Sequence, residues 1–273
     1  MQSHPNGAPL RWWVNTSSAS VWYGKPTDPL WTFRMPAYIA PAWNRNRPAQ
    51  TFQVRAPANL TDGGDSDHIL VVVNGNTYYE VWSTVIDPVN RVVTSGHVDN
   101  GGNAGWATGD IVNGPGAGTL SNNDGVRASN FSWAGGLITG RDVGNGRIDH
   151  ALALAVTAPM LKARASGQFI SPATGWDNGW GFGPLIMGSR VGIPPGVARP
   201  AGLSPIGIMV FDALQNYGAF VGDFCGGGSP QFYSDRNTVT SSQMAPLYEF
   251  WNMGGTSDMD RIIPLLRVAD YQP

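Results

Sequence analysis

The stretch from Asp65 to Trp82, DSDHILVVVNGNTYYEVW, restricts the fold more than any other part of this chain. Two runs of β-branched and aromatic residues flank an Asn-Gly pair, the strongest short-range signal for a tight hairpin. A two-residue turn at Asn74-Gly75 pairs Val73 with Asn76, Val71 with Tyr78, Ile69 with Glu80 and Asp67 with Trp82. Side chains alternate between the faces of a strand, so Asp67, Tyr78, Glu80 and Trp82 are then expected on one side of the sheet. Asp67 and Glu80 become diagonal neighbours, roughly 6–8 Å apart at Cβ. Carboxyl pairs that cleave glycosidic bonds stand about 5–5.5 Å apart in retaining enzymes and about 6.5–9.5 Å apart in inverting ones. A three-residue turn over Asn74–Asn76 instead puts His68, not Asp67, on the face of Glu80.

Composition points the same way. Charged residues make up 13% of the chain, while there are 36 Gly, 21 Pro and 11 Trp, which reads as many short strands joined by turns. The expected fold is mainly β: a single-domain β-sandwich of jelly-roll or concanavalin type over 1–273, with one or two short helices and long loops. Residues 1–60 form its loop-rich wrapping segment of edge strands and loops, with apolar patches SVWYG, WTFRMPAYIA and QTFQVRAP and with Pro36, Pro41 and Pro48 at sheet edges. Trp12, Trp13, Trp22, Tyr23, Trp31 and Trp43 either pack that segment or pave a sugar-binding cleft.

A net charge of -2 without a basic run excludes a nucleic-acid footprint. No apolar span is long enough to cross a membrane as a helix. Cys225 is the sole cysteine, which excludes an internal disulfide and a Cys-rich zinc site, and CGGG without a nearby His reads as a spectator thiol. The start, MQSHPNGAPLRWW, lacks signal-peptide regions, so a secreted protein of this kind has lost its leader or leaves the cell by another route.

TDGGDSD, Thr61 to Asp67, places Asp62, Asp65 and Asp67 in a loop. It is a candidate calcium site, but it lacks EF-hand spacing and the distal Glu, and a solvated turn is the plainer expectation. STVIDPVNRVVTSG reads as a strand pair turning at Asp87–Asn90, followed by a Gly/Asn-rich loop from Gly96 to Asn123 that carries His97 and Trp106. Ile148 to Val156 reads as a strand with His150, Leu152, Leu154 and Val156 on one face and a row of alanines on the other. That alanine face leaves room for a second sheet or a ligand. SPIGIMVFDALQNYG predicts a helix capped by Ser204, begun by Pro205 and ended by Gly218, with a stripe of Ile206, Met209, Val210, Ala213, Leu214 and Tyr217. The strand AFVGDF follows with Asp223, then a short helix over Met244–Trp251 and a closing strand or tail, IIPLLRVADY.

Asp65 to His68, Tyr79-Glu80, Gly136–Ile138, Gly146–Leu152 and Ala213–Asp223 together resemble a group of secreted β-rich bacterial proteins common in actinobacteria. The likeness covers about residues 60–225 and the IIPLLRVADY tail. It implies secretion, a link with polysaccharide or cell envelope, and a place for Glu80, His150 and Asp223 at motif positions. The aspartate spacing before His68 departs from the group's pattern.

Three functions follow from these residues. The first is extracellular glycoside hydrolysis by Asp67 and Glu80, one carboxyl held protonated as acid and the other ionised, with His150 as orienter or alternative base. Tyr78, Trp82, Trp106, Arg127 and Asp223 are its candidate substrate-binding residues. The second is a polysaccharide lyase with His150 or His68 and Tyr79 or Tyr217 as proton-transfer groups and Arg127 as neutraliser. The third is a non-catalytic carbohydrate-binding or phage-type particle-surface protein. The expected partner is a polysaccharide or oligosaccharide; no cofactor is required, calcium at Asp62, Asp65 and Asp67 aside.

Overall fold

Strands form where β-branched and aromatic residues run between turn residues, and the chain is mainly β, 37% strand against 16% helix. The computed structural model describes residues 12–40, 45–98, 101–110, 125–162, 169–177, 181–226, 229–247 and 257–269. It comprises two units: Ser17–Ala134 with Pro172–Trp176, and Met1–Thr16 with Gly135–Ser171 and Asp177–Pro273. The first carries the hairpin and the second the longest helix, and they are called here the hairpin unit and the helix unit.

The hairpin unit contains most of β1 (Trp13–Gly24), then β2 (Leu30–Met35), β3 (Tyr38–Ala40), β4 (Arg45–Arg47), β5 (Gln50–Arg55), β6 (Ile69–Asn74), β7 (Thr77–Trp82), β8 (Thr84–Asp87), β9 (Val92–Ser95) and β10 (Gly105–Asp110). One sheet runs β10-β7-β6-β1, a second β5-β2-β9-β8, and β3 pairs with β4. Within the segment expected to hold edge strands and loops, the SVWYG stretch is a strand, with Ala19 to Gly24 paired in parallel to Ile69 to Asn74. By contrast β10 lies within the stretch expected to be a continuous loop, and the remainder of that loop, 111–123, falls outside the described residues.

The hairpin turns two residues tight, but one position later than expected. Asn74 pairs with Thr77, Val73 with Tyr78 and Val71 with Glu80, so Gly75 and Asn76 form the turn. Gly75 has φ +62° and takes the first turn position, where type II′ hairpins place glycine. The shift spans an even number of residues in pairing, so Tyr78, Glu80 and Trp82 keep the face assigned to them. Leu70, Val72, Tyr79 and Val81 take the other face, in one core with Trp31, Phe33, Met35, Phe52, Val54, Val93 and Trp106.

The helix unit contains α1 (Gly140–Asn145), β11 (Leu152–Val156), β12 (Arg190–Gly192), α2 (Pro205–Asn216), β13 (Ala219–Phe224), β14 (Gln231–Asp235), α3 (Ser241–Met244), α4 (Asp258–Ile262) and β15 (Arg267–Val268). Its strands run β14-β11-β13-β12-β15, with β11 parallel to β13 and antiparallel to β14. Helix α2 forms as its sequence dictates. Ser204 accepts from Gly207 N, Pro205 opens the first turn, and Ile206, Met209, Val210, Ala213 and Leu214 are buried. Tyr217, expected on the stripe, caps the helix and is 37% exposed. Strand β11 starts four residues later than expected, which leaves His150 before it. The helix expected over Met244–Trp251 instead begins at Ser241, passes into a 3-10 turn over Ala245–Leu247, and its last residues lie outside the described ones.

Candidate functional site

The loop before β6 folds back on itself. Gly63 N donates to Ile69 O at 2.7 Å and Gly64 N to Ser17 O at 2.7 Å. A Cβ on Gly63 would stand 2.2 Å from Ser18 O, so only glycine allows this approach. The fold-back brings Asp62 beside His68, six residues on: Oδ2 lies 2.8 Å from Nδ1, with both side chains partly exposed at 26% and 19%. The imidazole of His68 stacks on that of His97, with ring centroids 3.8 Å apart and planes 24° apart.

The backbone under this pair is strained. His68 has φ +48° and Ser83 has φ +59°, in the left-handed region that non-glycine residues seldom occupy. The two are joined through neighbouring bonds: Ser83 N donates to Asp67 O at 2.9 Å and Thr84 N to His68 O at 3.1 Å. In turn Ser83 O accepts from Gly96 N at 2.7 Å and His97 N at 2.9 Å, which sets His97 against His68. Each such residue costs on the order of 1–3 kcal/mol, and strain of this kind collects at functional sites.

Asp67 adjoins the pair. Its Oδ1 accepts from Trp82 Nε1 at 3.4 Å, so the expected nearness of Asp67 and Trp82 is present although Asp67 precedes the strand. Burial raises the Asp67 carboxyl pKa above its ordinary value, and the charge of Asp65 adds to this. Trp82, His68 and Arg127 oppose the shift.

Glu80 has a different place. It is fully buried, and its carboxylate accepts from Ser132 Oγ, from Ala134 N at 3.2 Å and from Val126 N at 3.2 Å. The segment 125–134 thus covers the face on which Tyr78 (1% exposed) and Glu80 lie. Burial raises the Glu80 pKa against these hydrogen bonds. The expected open groove flanked by Asp67 and Glu80 is closed on the Glu80 side.

The other expected site residues fall into several settings. Arg127 is buried, its guanidinium 3.9 Å from the Trp133 ring centroid and its Nε donating to Ser132 O at 3.3 Å. Trp106 belongs to the core and donates to Pro36 O at 2.8 Å. His150 and Asp223 belong to the helix unit. There Nε2 of His150 lies 3.4 Å from Asp142 and Nδ1 3.0 Å from Ala151 O. Of the aromatics proposed to pave a cleft, Trp31 is core, Trp22 donates to Thr61 O at 2.8 Å, Tyr23 is exposed, and Trp43 lies outside the described residues.

The three loop aspartates turn to different partners: Asp62 to His68, Asp65 to Ser18 Oγ and Asp67 N, Asp67 to Trp82. Among the described residues no three His, Cys, Asp or Glu side chains gather to hold a metal ion. No helix among them is long and apolar enough to cross a membrane. The chain matches no family model, no curated protein and no solved structure. The site must therefore be read from its own chemistry. Sequence reasoning named His68 only as an alternative and missed Asp62 as its partner. The available signal was Gly63-Gly64 between them, a pair that lets a chain double back.

Proposed function

We propose that the protein cleaves an acidic polysaccharide by elimination, with His68 as the base. The observation that carries this reading is the 2.8 Å contact of His68 Nδ1 with Asp62 Oδ2 in a strained, partly exposed loop. With Nδ1–H donated to Asp62, the lone pair sits on Nε2, the tautomer a base needs. His68 takes the proton from the carbon beside a uronate carboxylate. The electron pair forms a carbon–carbon double bond, the glycosidic bond breaks, and the leaving oxygen takes up a proton. Asp67, whose carboxyl pKa burial raises, stands beside the base and in its protonated form donates to the uronate carboxylate. A protonated acid in that role lowers the cost of the developing negative charge.

Hydrolysis is the second reading, favoured by the same raised carboxyl, which suits a general acid. It requires a base other than the enclosed Glu80. The two are separated by the Asp67→Asn variant. An amide still donates to a carboxylate, so elimination persists and continues to higher pH than in the wild type. General-acid hydrolysis is lost with the same change. In both readings the fold is proposed to be a β-sandwich, supported by the core to which both hairpin-unit sheets contribute, and the substrate to lie outside the cell.

A further inference from the structure

We propose that the outward face of the sheet β5-β2-β9-β8 binds an anionic polysaccharide, with Arg34 and Arg55 holding its carboxylates. The ligand class is that of the cleavage reading, but a different face of the hairpin unit carries it, so the two stand or fall separately.

Alternation along the strands sets this face. In β2 the side chains of Trp31, Phe33 and Met35 are buried, and Leu30, Thr32 and Arg34 point the other way. Pairing extends the pattern sideways. Arg34 stands beside Thr51 of β5 and Thr94 of β9, Thr32 beside Gln53 and Val92, and Leu30 beside Arg55. Thr94 pairs in turn with Val85 of β8, and Val92 with Asp87. Arg34, Thr51, Gln53, Leu30 and Val85 are exposed and the other residues of the face are half-buried, so the face is open to solvent.

The face is cationic on a chain whose net charge is -2. Arg34 and Arg55 lie about 14 Å apart between backbones, four residues along and one strand across. Arg55 Nη1 donates to Asp28 O at 2.7 Å, a bond that fixes the guanidinium without neutralising it. Neither arginine has an ion-pair partner among the described residues. Arg91, exposed in the turn between β8 and β9, adds a cation at the rim. The acid on the face, Asp87, sits on the far edge strand, where its carboxylate accepts from Val89 N, Asn90 N and Asn90 Nδ2. A local field of this kind attracts anions whatever the sign of the whole chain. Hydroxyls and an amide lie between the arginines. Gln53 Nε2 donates to Thr32 Oγ1 at 3.2 Å and Thr94 Oγ1 to Arg34 O at 2.7 Å, which orients these groups. Hydroxyl and amide groups exchange hydrogen bonds with sugar hydroxyls, and guanidinium forks take carboxylates through two parallel bonds. The aromatic rings of β2 and β5 point into the core, so the face offers nothing on which nucleobases stack, and a carboxylated sugar polymer fits it better than a nucleic acid.

The experiment measures binding by isothermal titration calorimetry at low salt, using the full chain with His68→Asn so that the polymer stays uncut. The probes are polygalacturonate, alginate, hyaluronan and glucuronan, with dextran, duplex DNA and phosphatidylserine vesicles for comparison. At least one of the four acidic polymers is expected to bind, dextran is not, and binding weakens as salt screens the exposed charges. Arg34→Gln is expected to weaken binding about threefold, and Arg34→Gln with Arg55→Gln about tenfold, a few-fold for each exposed charge pair. The exposed Arg34→Gln alone keeps the test readable should the double variant fail to fold. No binding to any of the four polymers overturns the proposal, as does unchanged affinity in the folded variants. Duplex DNA or vesicles held as tightly, with the same dependence on the two arginines, overturn it as well. Binding is read without cleavage, so failure here leaves the His68 reading intact.

Discussion

His68 combines the proposed role of base with a backbone cost, and substitutions can separate the two. Asparagine tolerates the left-handed region better than most residues. His68→Asn is therefore expected to keep the fold, by near-ultraviolet circular dichroism, while cleavage falls about 10²-fold or more, the usual worth of a positioned acid–base group. Asp62→Asn leaves the imidazole in place but no longer selects its tautomer, so turnover is expected to drop with little change in KM. Glu80 makes the opposite case, a carboxyl whose role is to hold 125–134. Its pKa in the folded protein lies above the ordinary 4.5, so the folded state holds the proton more tightly than the unfolded chain. The sign follows: this stability is complete below about 4.5 and declines as pH rises through the raised folded value. Glu80→Gln, neutral at every pH, is expected to flatten that decline in urea titrations at several pH values and to cost about 1–3 kcal/mol in acid through its altered bond to Val126.

At the level of elements, turns and caps carry measurable stability. Gly75→Ala places a side chain at φ +62°, where a Cβ would meet nothing within 4 Å, so its cost is conformational alone. A loss of about 1 kcal/mol is expected in urea unfolding, with the register unchanged. Ser204→Ala removes both the acceptor for Gly207 N and the donor to Asp258 Oδ2, and about 1–2 kcal/mol is expected to be lost. These elements were also the most legible in the sequence. Ser204-Pro205 and the 3.6-residue stripe mark α2, and the Asp87–Asn90 turn joins β8 to β9 as read, with Asp87 Oδ1 accepting from Val89 N and Asn90 N. The hairpin's faces were legible, but its register was not. Asn-Gly fits a turn at either of two neighbouring steps, and in the fold Val71 pairs with Glu80 and Gly105 lies against the Trp82 ring, where a Cβ would stand 2.9 Å from it. Strand β10 was hidden because GWATGD carries little β propensity. It forms through its pairing with β7 and the burial of Trp106.

Over the whole molecule, the mainly β class was legible from composition, because many glycines and prolines with few charges leave little scope for long helices. The candidate site was legible only in part. Periodicity assigns faces, but it cannot show that a distant segment such as 125–134 closes one of them, nor that a glycine pair returns Asp62 to His68. Asp67 and Trp82 were found because local pairing carries them together; Arg127 and Trp106 went into the interior, where cation–π and core contacts hold them. What remains is a pair of stacked imidazoles, an orienting aspartate and a carboxyl raised by burial, on a backbone strained at two points. The decisive measurement is ultraviolet absorbance from unsaturated sugar ends, recorded for wild type and His68→Asn on polygalacturonate, alginate, hyaluronan and glucuronan. Elimination at His68 predicts a steady rise on at least one polymer for the wild type and a rate at least about 10² lower for the variant. No rise on any of them, or equal rates for the two proteins, would contradict it.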